Sequence, residues 1–288
     1  MTIAIQERRG RPGHGGMAFA IGSQTATWLW SIGVVLPLTW TVLSSFKTSK
    51  EILASPLSLP AKWSFDNYVA AWTTAHIGDY YLNTIVVVLV SVVLVMLLGA
   101  MCAYVLAIFE FPGRMALVNL MLGSMAFPMF LAIVPLYKLM RGLHLVNTIT
   151  GLILVYTAFA LPFTVFFLYS FFKGLSRDVY EAARIDGAGE WRTFFLVMLP
   201  MTAPGMGAVG MFNLVGLWNQ YVLPLALITD QDKYVLTQGM QAFAQVAGRS
   251  VNLGALFAAV VMTVLPILVF YLIFQRRLAG SVSQGTFR

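Results

Sequence analysis

The run LNTIVVVLVSVVLVMLLGAMCAYVLAIF, residues Leu82–Phe109, decides the fold. It contains no charged residue, and at about 1.5 Å of rise per residue a helix of this length crosses a hydrocarbon core of about 30 Å. Five further runs of the same kind flank it, at approximately Ala26–Phe46, Met115–Met140, Thr148–Phe172, Ala203–Ile228 and Leu253–Phe274. No Asp, Glu or Arg stands near the middle of any run, and Lys138 falls close to an end. A central charge costs about 2.5–3.5 kcal/mol on insertion scales, which accounts for that absence. The whole chain agrees: 288 residues, 59% hydrophobic, 10% charged, with a mean hydropathy of +0.81. An average soluble domain is about 45–50% apolar and about 25% charged. Charge this sparse cannot cover a water-facing surface, and polarity this low does not keep a chain disordered. The expected class is an all-α membrane protein with six transmembrane helices.

Orientation follows from the cations between the runs. With the N-terminus inside, eleven Lys and Arg fall on the cytoplasmic side and seven outside, which places both termini in the cytoplasm. Residues 1–25, with Pro12 and clustered arginines, read as a flexible cytoplasmic tail, residues 26–275 as the six-span domain, and 276–288 as a second cytoplasmic tail. The first run is too long for a signal peptide and reads as an uncleaved span. External loops are expected at 47–81, with a short helix around Phe65–Trp72, and at 230–252. Glu110–Arg114 reads as a tight cytoplasmic turn, and Pro37, Pro128, Pro162 and Pro266 as kinks. Single Cys102 excludes a disulfide framework, and the scattered His14, His76 and His144 give no metal site and no proton relay. The net charge of +7 sits at the ends of apolar runs, a membrane pattern and not a nucleic-acid stripe.

The connection 173–202 is the outlier. It carries eight of the chain's 29 charged residues, yet its pattern is that of ordered helix. Ser176 is placed to cap a helix whose first turn holds Asp178. Val179, Ala182, Ala183 and Asp186 recur at helical spacing, and Gly187 and Gly189 supply a stop. A second helix is expected from Glu190 through Trp191, Phe194 and Phe195 to Leu199-Pro200. A six-span bundle has no need of such a helix–turn–helix for stability, so it reads as a docking surface.

The segment Glu181-Ala182-Ala183-Arg184-Ile185-Asp186-Gly187, followed nine residues later by Val197-Met198-Leu199-Pro200, resembles the EAA loop of ABC-importer permeases. Only Val197 departs from the family letters, which have Ile there. The resemblance extends to the smaller, maltose-type permease subunit of carbohydrate importers. It is carried by Ser64–Tyr68, Asn83-Thr84, Ala103-Tyr104, Phe111–Arg114, Pro135–Tyr137, Asn147-Thr148, Pro162-Phe163, Asp186–Ala188, Trp218–Tyr221 and Gln275-Arg276. The tail after Arg276 departs from the family's glycine-rich ending.

The resemblance implies a multi-pass permease of the bacterial inner membrane, paired as a heterodimer with a second homologous permease. Two copies of a cytoplasmic ABC ATPase would bind ATP and Mg, and an extracytoplasmic solute-binding protein would deliver a mono- or oligosaccharide. This chain has no G-x-x-x-x-G-K-[ST] loop, so it would be a transport subunit without cofactor or enzymatic activity of its own. The coupling residues implied are Glu181, Ala182, Ala183, Arg184, Asp186, Gly187, Leu199 and Pro200. Small Ala182, Ala183 and Gly187 let a helix enter a cleft, and Glu181 can make a charge-assisted bond at its rim. For Asn213, Trp218, Asn219 and Tyr221 two readings stand: contacts to a sugar in the pathway, or polar glue between helices. The loop 230–252 would face the binding protein. Two alternatives remain open, an ion-coupled secondary transporter, which usually needs ionisable residues inside its spans, and an importer of a non-sugar such as glycerol-3-phosphate.

Overall fold

The computed structural model describes residues 14–73, 76–250 and 252–284, with the backbone alone for 14–20, 247–250 and 274–284. Every regular element among them is helical. The chain opens with α1 (His14–Ser44), α2 (Ser49–Ala54), α3 (Asp66–Thr73) and α4 (Ile77–Ile108). It continues with α5 (Arg114–Met125), α6 (Met129–Gly142), α7 (Ile149–Lys173), α8 (Arg177–Ile185) and α9 (Glu190–Thr193). A π-turn at Phe194–Met198 carries α9 into α10 (Leu199–Met201), and α11 (Ala203–Trp218), α12 (Val222–Leu227), α13 (Leu236–Ser250) and α14 (Leu253–Gln284) complete the chain. The first helix is described from His14 onward, so residues 14–25, expected as tail, are helical; residues 1–13 lie outside the described residues.

Four helices are long and apolar enough to cross a membrane: Ile21–Ser44, Ile77–Ile108, Ile149–Lys173 and Leu253–Ile273. The two other expected spans are not straight. Met115–Met140 breaks into α5 and α6, bent by 105°. Pro128 has no N–H and disfavours helical backbone at Phe127 before it. Helix α5 therefore closes on tight bonds from the Ala126 and Phe127 N–H groups to Gly123 and Ser124 O. The fifth expected span, Ala203–Ile228, ends at Trp218, and the separate short α12 follows. Its helix is also bent by 79° against the preceding Glu190–Met201 arm, where Pro200 and Pro204 leave backbone carbonyls without a helical donor.

Helices α4 and α7 lie side by side as the spine, at a close approach set by Gly99, where a Cβ would stand 2.6 Å from Thr164 Cγ2. Two buried clusters surround this spine. One gathers Tyr80, Val88, Leu152, Tyr156, Trp218 and Leu236, and the other Ala103, Tyr104, Leu168, Phe172, Phe194 and Met198. By contrast α1 is peripheral, with Trp28, Leu29 and Trp30 exposed. Its last turns dock, Trp40 packing edge-on to Phe257 and donating its indole N–H to Pro56 O.

The contacts define two ends. At one, the Glu110–Arg114 turn meets α8 through Glu110 and Arg177. At the other, the turn at Lys47 meets α3 and the start of α14. Lys47 is buried, its ammonium donating to Ser55 O, Pro56 O and Ser58 Oγ at 3.0–3.3 Å. Asn67 Nδ2 donates to Ser45 O and Lys47 O at 2.8 and 2.9 Å, and the Leu253 N–H donates to Ser49 Oγ at 3.0 Å. The stretch 230–252, expected as a connecting loop, is mostly the helix α13. Leu236, Met240 and Phe243 give it an apolar face on the core around Tyr80.

Candidate functional site: the elbow after the α7 span

Helix α8 starts where expected: Ser176 is its N-cap, its Oγ accepting from the Asp178 N–H at 3.2 Å. It stops through a complete Schellman cap. Gly187 takes a left-handed conformation (φ +79°), its N–H donates to Arg184 O, and the Ala188 N–H donates to Ala183 O. Glycine at 187 is thus required by backbone geometry, and α9 restarts at once from Gly189. The result is an elbow of two short arms joined by four residues, 186–189.

Outward, α8 and its C-terminal cap present Glu181, Ala182, Ile185, Asp186 and Gly187 to solvent, with Ile185 85% exposed; Ala183 is buried on the inner side. A large aliphatic thus stands exposed beside two small residues and two carboxylates. Glu181 is held by Arg177 at 3.3 Å, and Arg177 also reaches Glu110 at 3.9 Å in the preceding turn. Inward, the Glu190 carboxylate accepts from Arg184 and from Tyr180 OH of α8, and from Tyr104 OH of α4. Burial, and then the bond to Glu190, push the Tyr180 phenol upward, so it stays a neutral donor. Arg184 thus pairs across the joint, with Glu190 of the second arm. Leu199 and Pro200 lie beyond the π-turn, which the Leu199 N–H closes on Phe194 O.

The four residues first grouped as pathway candidates separate. Asn213 is buried and donates to Thr164 Oγ1 at 2.8 Å and to Met96 Sδ at 3.5 Å, tying α11 to α7 and α4. Trp218 is buried against Tyr81 and donates to Thr263 O. Both sit as interhelical ties. Asn219 is exposed and donates to Val215 O one turn back. Tyr221 lines an open groove with Thr237, Gln241 and Thr263.

Two asparagines without an assigned role in the sequence reading hold the end opposite the elbow. Asn147 Oδ1 accepts from the Thr229 and Asp230 N–H groups at 3.0 Å, and its own backbone is left-handed (φ +60°). Asn83 Nδ2 donates to Asp232 O and Tyr234 O. Neighbouring Thr84 accepts from the Leu236 N–H at 2.7 Å. Lys233, and then Asn147, hold the Asp230 carboxyl below its usual range. Replacing Asn147 by Ala removes two bonds, at about 1 kcal/mol each, and strains a left-handed residue by about another 1–2 kcal/mol. The expected result is a lower melting temperature for the purified permease, partly restored by Asn147→Gly, which relieves only the backbone. Equal melting of Asn147→Ala and the parent would refute the clamp.

Residues 95–284, from the middle of α4 to the end of α14, match the family described as "binding-protein-dependent transport system inner membrane component". The chain belongs to this family. Among relatives of this importer permease, the diacetylchitobiose uptake system permease protein of Streptomyces coelicolor is 61% identical over 94% of this chain and 89% of its own. The arabinooligosaccharides transport system permease protein of Halalkalibacterium halodurans is 32% identical over 91% and 97%. The trehalose transport system permease protein of Mycobacterium tuberculosis is 31% identical over 87% and 91%. A bacterial ABC transporter crystal structure, involved in import of the acidic polysaccharide alginate, superposes with a TM-score of 0.82 over 93% of this chain and 99% of that one. At 20% identity it speaks for the fold. Family membership displaces the ion-coupled secondary carrier: this is a membrane-embedded component of a binding-protein-dependent ABC importer.

Proposed function

We propose that this permease is one of two homologous transmembrane subunits of an importer for a short N-acetylated chito-oligosaccharide, with diacetylchitobiose as the leading cargo. The observation that carries this is the 61% identity across nearly the whole chain to a diacetylchitobiose uptake permease. Chemistry supports a neutral cargo. No ionised side chain stands near the middle of any apolar run, so a phosphorylated solute such as glycerol-3-phosphate would find no counter-charge there.

In this reading the α8–α9 elbow is cytoplasmic and docks one of two ABC ATPase copies, which bind ATP and Mg. Both chain termini lie on that side, as the excess of cations there supports. The opposite end, built on Lys47, Asn83 and Asn147, faces an extracytoplasmic solute-binding protein. Each power stroke pushes on α8, and the spans leading into and out of the elbow, α7 and α11, carry the motion.

The test is uptake of radiolabelled diacetylchitobiose, trehalose and an arabino-oligosaccharide by cells with and without this chain. Deletion is expected to abolish uptake of diacetylchitobiose alone, with complementation restoring it. Unchanged diacetylchitobiose uptake, or loss of a different sugar instead, would overturn the cargo assignment.

A further inference from the structure

One carboxylate touches both arms of the elbow and the spine of the bundle at once. Glu190 Oε1 accepts from Tyr180 OH at 3.0 Å and from Arg184 Nη1, both on α8; Oε2 accepts from Tyr104 OH on α4 at 3.5 Å. Glu190 itself is the first residue of α9, where a negative charge also suits the helix dipole. A cavity of about 260 Å³, lined by Met101, Tyr104, Val105, Phe109, Trp191 and Phe194 as well as Glu190, opens between α4 and the α9 arm. Ring contacts brace it further out, Tyr104 on Phe194 at 5.0 Å and Phe109 edge-on to Tyr180 at 6.2 Å. Between the arms lie Gly187 and Gly189, the residues least able to resist bending.

We propose that Glu190 is the positioning residue that makes the elbow rigid: it cross-links α8 to α9 across the glycine joint and both arms to α4. A push on α8 then turns the whole elbow together with the α4 end, instead of being absorbed at Gly187–Gly189. The inference rests on α8 being the ATPase-facing helix, and it adds the element that stops the joint from yielding. Hydrogen bonds to an ionised acceptor are about twice as strong as neutral ones, which suits a single side chain to this task.

The experiment uses the complete importer, both permeases, ATPases and binding protein, in nanodiscs, with a spin label at Asp178→Cys on a Cys102→Ser background. Two quantities are read, label mobility and sugar moved per ATP hydrolysed. Glu190→Ala is expected to raise mobility and to lower sugar per ATP at least fivefold while the ATPase stays bound. Glu190→Gln, which keeps the shape and serves if the alanine variant does not assemble, is expected to fall between. The exchanged pair Arg184→Glu with Glu190→Arg is expected to recover part of the loss, a rescue that a merely space-filling role would not give. Unchanged mobility and unchanged sugar per ATP in both single variants would overturn the proposal. Cross-linking of Ile185→Cys to the ATPase reads the docking assumption separately. Its absence would sink that assumption and leave the mobility result to judge Glu190.

Discussion

Sugar uptake is expected to fall about 100-fold in Glu181→Lys, with the permease still folded and inserted. In the structure this carboxylate points out of the elbow and, among the described residues, is tied to Arg177 one turn earlier. Losing that exposed i,i+4 pair costs a few tenths of a kcal/mol, and a like-charge pair there about as much again. The fold is therefore spared. At the proposed docking face the expected change is larger. Reversing one partner of a desolvated charge pair costs about 2–5 kcal/mol, and about 1.4 kcal/mol is a factor of ten. Uptake, ATPase co-purification and the melting temperature of the permease should be measured together. Loss of uptake and of ATPase binding with unchanged melting supports the docking face, whereas full uptake in this variant removes Glu181 from it.

The second large effect concerns the fold. Gly151→Val is expected to leave almost no monodisperse permease after extraction. A Cβ at 151 would stand 2.1 Å from the Leu145 carbonyl oxygen and 2.8 Å from Thr148 Oγ1, which caps α7 by accepting from the Gly151 N–H. The nearest obstacle is backbone and cannot rotate away. Overpacking costs about 1–3 kcal/mol even where side chains yield, so this site should exceed that range. Gly123→Ala in α5 is the control: nothing lies within 4 Å of its Cβ position, and Ala favours helix over Gly by about 1 kcal/mol. Equal yields and melting curves for the two variants would show that the Leu145 turn is not held against α7 as described.

The two outcomes draw on features of different legibility. Apolar runs announce spans because hydrocarbon tolerates little else, and the elbow announces itself because Gly187 stands where a helix must turn left-handed. Direction is harder. The letters of Met115–Met140 suit a straight or a bent helix equally, and only Pro128 marks the 105° break. Helix α13 was legible in principle, with Leu236, Met240 and Phe243 at helical spacing, but the flanking Asp230, Asp232 and Lys233 give it the colour of a loop. Asn213 shows a different limit. The same amide can bind a sugar or a neighbouring helix, and no letter around it names Thr164, the partner it holds in the structure. Asn83 reaches a carbonyl 149 residues away, a pairing that no local pattern encodes.

The amides of Asn83 and Asn147 grip 229–234 chiefly by main-chain atoms, with the Asp230 carboxyl the side chain that Asn147 also engages. The route of that segment is therefore decoupled from most of its own letters. Natural drift or deliberate grafting can rewrite the chemistry displayed at its tip while the strap beneath keeps its course; on the proposed reading that this end meets the binding protein, one scaffold can then be retuned to new delivery proteins without being rebuilt.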